Sequence, residues 1–103
     1  MYNEPHAEIV NTFRIIYAPF SIMYKSQLRA ARALLSWSQE RLAEASGVSV
    51  PTIKRLEPGE GPLETRVETM GKLQRALEAA GVVFIPSNGD GPGVRLRKEQ
   101  PDA

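Results

Sequence analysis

The chain has no cysteine and a single histidine, His6. Without cysteine there is neither a disulfide framework nor a thiolate metal site. One histidine near a terminus cannot build a zinc centre, and a solvated surface residue is its plainer reading. No metal and no other cofactor is therefore expected. Net charge is also scarce: 13 Lys and Arg against 12 Asp and Glu leave +1, so no strong overall field draws the chain to a polyanion. No apolar run is long enough to span a bilayer. The first residues lack a basic stretch followed by an apolar one and a cleavage site. No membrane partner is expected, and a cytoplasmic location is the default. Catalytic sets are missing too. No Ser/His/Asp or Cys/His group can be assembled beyond His6, no carboxylate pair falls in an evident apolar pocket, and an enzyme is not expected.

What the chain does have is the stretch Trp37 to Glu57, WSQERLAEASGVSVPTIKRLE. Two short helix patterns meet there at a tight turn. Ser38 can cap the first, QERLAEA, by accepting a backbone N–H that the opening turn leaves unpaired. Gly47 follows where a residue without Cβ adopts the left-handed conformation cheaply. Ser49 stands where a second cap belongs. Val50-Pro51-Thr52 opens the second helix, where Pro is harmless because first-turn N–H groups have no helical partner. Leu42 and Ala43 on one helix and Ile53 and Leu56 on the other form inward faces, and Val48 plugs the turn. Two short helices at a steep angle about a Gly turn make a helix-turn-helix.

The pattern S-Q-E-R-L-A-E-x-x-G-V-S-x-x-T-I-x-R-L-E, Ser38 to Glu57, resembles the xenobiotic-response-element (XRE) type of helix-turn-helix, the class of phage repressors and Cro. The resemblance runs from about Gln27 to Leu77. It implies that Gln39 meets a DNA phosphate, which suits the unpaired N–H groups and dipole of a helix start. A plain helix former at that position is the competing reading. It also implies a structural ion pair between Arg32 and Glu57. The second helix becomes a recognition helix, with Ser49, Val50, Pro51, Thr52, Lys54 and Arg55 as candidate DNA contacts. Val50 and Pro51 can touch only a thymine methyl, while the polar contacts fall to Ser49, Thr52, Lys54 and Arg55. A solvated basic face is the alternative for Lys54 and Arg55.

Around the motif, Leu28, Ala31 and Leu35 predict a helix over Gln27–Leu35, capped by Ser26. Arg29 reads as a solvated charge or one near phosphate. Pro58-Gly59-Glu60-Gly61-Pro62 is a loop. Thr65 and Glu68 have capping-box spacing ahead of a helix over Arg66–Ala80, with Val67, Met70, Leu73, Leu77 and Ala80 inward and Gly81 as its stop. Gly71 within that helix suggests close approach of another helix. Val82 to Ile85 and Val94 to Arg97 are strand-like and flank a turn-rich PSNGDGPG. The expected fold is mainly α: a four-to-five-helix XRE-type bundle followed by a short C-terminal β-hairpin. Residues 26–81 would be the helix-turn-helix domain, 82–97 the hairpin and 98–103 a disordered tail.

Residues 1–25 read as an N-terminal extension. Ile9, Phe13, Ile16, Tyr17 and Phe20 have helical spacing, yet Ile15-Ile16-Tyr17 and Asn11-Thr12 are poor helix formers. A marginal amphipathic helix, an unstructured leader and a hydrophobic arm that binds a partner all fit. Two functions remain open. One is a sequence-specific transcriptional regulator, a repressor among them, that binds operator DNA as a homodimer with the recognition helix in the major groove. The other is a helix-turn-helix protein that acts through a regulatory protein partner, as an antiactivator or antitoxin does. Fold does not decide between them.

Overall fold

A computed structural model describes residues 22–87 and 89–98. Among these the chain forms four helices and one hairpin: α1 (Lys25–Leu35), α2 (Gln39–Ser46), α3 (Val50–Leu56), α4 (Val67–Ala79), β1 (Val82–Ile85) and β2 (Gly93–Leu96). The mainly α bundle with a terminal two-stranded ribbon is the expected fold class.

The local signals explain most boundaries. Ser38 Oγ accepts from Arg41 N, and Ser49 Oγ accepts from Thr52 N, so each serine caps its helix. Gly47 ends α2 at φ 79°, in the left-handed region. Leu28, Ala31, Leu42, Ile53, Leu56, Leu73, Leu77 and Val82 close into one core, with Val48 buried at the turn between α2 and α3.

Helix α1 departs from the sequence expectation at its start. Ser26 is not its cap; the helix begins at Lys25, and Tyr24 occupies the cap position. The side chain of Gln27 turns back so that its Oε1 accepts from Tyr24 N at 2.8 Å. Tertiary bonds hold the preceding residues: Leu63 N donates to Met23 O, and Lys25 N donates to Gly61 O. Met23 is buried in the core. Met23 to Lys25, placed with the extension by sequence, are thus part of the fold. At the other end Ser36 takes φ 57°, a left-handed conformation without the glycine that usually supplies it.

Helix α4 starts one residue later than its spacing suggested. Arg66 is the cap residue and makes no side-chain capping bond, so the Thr65–Glu68 box falls out of register. Val67, assigned to the core face, is 55% exposed. Gly71 is buried, but the nearest group to a Cβ there would be the Arg75 guanidinium, one turn along the same helix at 3.1 Å.

The ribbon is antiparallel, with Val82 opposite Leu96, Val83 opposite Arg95, Phe84 opposite Val94 and Ile85 opposite Gly93. Val82, Phe84 and Val94 face the core. Gln27 Nε2 donates to both Ile85 O, at 3.2 Å, and Gly93 O, at 3.0 Å, at the mouth of the connecting loop. A two-stranded ribbon is marginal alone in water. Here the core covers one face, and a helix side chain clasps the open end.

Candidate nucleic-acid interface

Helices α2 and α3 present the surface that matters, and a polar cluster sets their relation to α1. Arg32 Nε donates to Glu57 Oε2 at 2.7 Å and its second guanidinium nitrogen donates to Glu57 Oε1 at 3.0 Å, a bidentate pair. The third Arg32 nitrogen donates to Trp37 O at 2.8 Å. The pair is shielded unevenly, with the Arg32 side chain 23% exposed and that of Glu57 5% exposed. Hydrogen bonding to Glu57 raises the Arg32 pKa above its already high value; burial opposes this, and the charges of Glu57 and Glu40 add to it. Arginine remains charged throughout the working pH range.

Gln39 joins the same cluster. Its Nε2 donates to Glu57 Oε1 at 2.9 Å, which fixes the carboxamide at the start of α2. One N–H of that group is used, and a carboxamide has two. The second makes no hydrogen bond among the described residues.

Arg29 does not stand free in solvent. One of its nitrogens donates to Glu57 O and to Gly59 O, the latter at 2.8 Å, and so closes the end of α3 and the loop beyond it onto α1. A sequence signal for this existed: Arg29 and Arg32 are three residues apart and share a helix face. Gln27 carried no such signal, because its partners lie about 60 residues away in sequence and become neighbours only on folding.

The candidate contact residues on α3 fall into two groups. Ser49 Oγ donates to Thr52 Oγ1 at 2.9 Å while accepting from Thr52 N, so the Ser49 hydroxyl is committed to the cap. Val50 and Thr52 are half-buried, whereas Pro51, Lys54 and Arg55 are exposed. Among the described residues Lys54 and Arg55 make no ion pair. Ile9, Phe13, Ile16, Tyr17 and Phe20 lie outside the described residues.

Three helices arranged in this way, with the third turned outward and tied back at its C-terminal end, define a helix-turn-helix domain. A family model described as helix-turn-helix matches residues 28–80, just over half of the chain. The chain belongs to the XRE-type helix-turn-helix family, a family of DNA-binding transcription regulators. No curated protein matches it. No helix among the described residues is long and apolar enough to cross a membrane.

Proposed function

We propose that the protein is a sequence-specific transcriptional regulator that lays α3 in the major groove of operator DNA, acting in the cytoplasm as a homodimer. The observation that carries this reading is the outward side of α3. Pro51, Lys54 and Arg55 are exposed and make no side-chain hydrogen bond or ion pair among the described residues, while the buried side of the same helix is anchored through Ile53, Leu56 and Glu57. Gln39 supports it, since its second N–H stands beside α3 at a helix start where an anion is favoured.

Support for two-fold assembly comes from the opposite side of α1. Leu34, on α1, is 40% exposed, and Leu96, on the strand α1 packs against, is 45% exposed. Each ribbon strand also has only one neighbour among the described residues. Apolar side chains beside an open sheet edge suit contact with a second copy. The same surface would serve a regulatory protein partner, as in an antiactivator or antitoxin, and exposed Val67 extends that possibility.

The test is a mobility shift with DNA from upstream of the protein's own gene, at two salt concentrations. A specific shift that weakens as salt rises is expected, because phosphate neutralisation releases counterions. No sequence-specific shift at low salt, with one regulatory protein co-purifying, would favour the protein partner.

A further inference from the structure

Resting on the DNA-binding reading, the outward geometry of α3 carries a statement about base identity. Successive residues on an α-helix are rotated by about 100°. On α3 the buried residues Ile53, Leu56 and Glu57 mark the inward direction. Helical rotation then puts Pro51 and Arg55 nearest the opposite, outward direction, one turn apart. Lys54 falls on one flank of that line and Thr52 on the other. Val50 falls toward the side of Glu57, in keeping with its partial burial. Among the exposed cations of α3, Arg55 is therefore the one aimed at the groove floor, and Lys54 is aimed at its wall.

Chemistry then separates the roles. A guanidinium fork meets the O6 and N7 acceptors of guanine in one plane; an ammonium can also donate to them, but on the flank, where Lys54 falls, a point charge suits phosphate. Proline offers only apolar surface, and the apolar feature on the groove floor is the thymine methyl. Pro51 and Arg55 are four residues apart, or about 6 Å along the helix axis. A helix lying in the major groove follows a path that turns as well as rises, and groove-reading residues three to four apart meet successive bases, so the two side chains reach adjacent base pairs. We propose that each operator half-site presents a thymine to Pro51 and, at the adjacent base pair, a guanine to Arg55, with Lys54 on a flanking phosphate.

The full chain is used to enrich bound duplexes from a random-sequence pool at low salt. The best duplex is then remade with deoxyuridine for the thymine, which removes the methyl, and with 7-deazaguanine for the guanine, which removes N7. Expected is a motif with thymine and guanine at the stated spacing. The uracil duplex should bind about four-fold more weakly, the worth of one buried methyl-sized group. The 7-deazaguanine duplex should bind about ten-fold more weakly. Arg55→Met, which removes the donors, should abolish the 7-deaza effect and keep the uracil effect; Pro51→Ser, which removes the apolar surface, should do the reverse. Both positions are exposed, and an unchanged melting temperature confirms the fold. A motif lacking the thymine–guanine pair, or affinity indifferent to both base analogues, overturns this inference and leaves DNA binding intact. No enrichment of any motif overturns the DNA-binding reading and this inference with it.

Discussion

Helix α1 is held to the rest of the molecule by two different polar fastenings. On one face Arg29 and Arg32 grip the end of α3, and the central bond joins two full charges. On the opposite face Gln27 grips the mouth of the hairpin with a neutral carboxamide. No buried side-chain nitrogen or oxygen among the described residues lacks a partner, so neither fastening leaves a polar group stranded. They differ in what happens when one partner is removed. A lost charge partner strands an ion; a lost amide strands backbone carbonyls that can recover water if the ribbon lifts away.

The largest effect should come from Arg32→Met. It leaves the Glu57 carboxylate, whose side chain is 5% exposed, without its counter-ion, and should cost about 3 kcal/mol in urea denaturation. The partner change Glu57→Gln strands the more exposed Arg32, which can rehydrate, and should cost less. Equal losses would show that the uneven shielding is irrelevant. The sign of the pH dependence follows from the raised Arg32 pKa. A base whose folded pKa is raised contributes stability below its unfolded pKa and loses it as pH rises through the folded one. Both lie in strongly alkaline solution, so the stability gap between wild type and Arg32→Met should be flat from neutral to mildly alkaline pH.

Next is Gln27→Leu, which removes three hydrogen bonds. A loss of about 2 kcal/mol is expected if Tyr24 N and the two carbonyls remain dry. Amide exchange locates the damage. The N–H groups of Arg95 and Arg97, which the antiparallel alternation places in the ladder, should exchange faster, while those of α2 and α3 change only in step with global stability. Uniform acceleration throughout would mean that the two fastenings form one cooperative unit and the contrast between them fails.

Smaller still, and of opposite sign, is Ser36→Gly at the end of α1. The left-handed backbone there costs a side-chain-bearing residue roughly 1 kcal/mol, partly offset by the greater unfolded freedom of glycine, so a gain of about 0.5 kcal/mol is expected. Thermal denaturation reads it directly. The smallest effect on stability belongs to the Lys54→Ala, Arg55→Ala double variant, within about 0.5 kcal/mol. Its effect should appear instead in DNA binding, as weaker affinity and a logarithmic salt slope reduced by about one or more.

The two fastenings also differ in how legible they were. Caps, the Gly47 turn and apolar periodicity located α2 and α3, because those features act within a few residues. The nearness of Arg32 to Glu57 was implied by the XRE resemblance. The Gln27 clasp was invisible, since a glutamine in a helix looks like any good helix former until the hairpin arrives. The same blindness explains the start of α1, which depends on the loop at Gly61 and Leu63, and the exposure of Val67, whose position in the spacing pattern looked inward. Of the candidate contact residues, Pro51 and Arg55 were visible as types in the sequence. Their shared outward direction needed the burial of Ile53, Leu56 and Glu57 to define it.

The interleaving of α3 bears on how such a protein can change over generations. The residues that hold the helix in place and those that look outward alternate along it. Substitutions at Pro51, Lys54 or Arg55 leave Ile53, Leu56 and the Glu57 tie untouched. On the proposed DNA-binding reading, target preference can therefore drift, or be re-engineered by recombining three codons, without passing through an unfolded intermediate genotype.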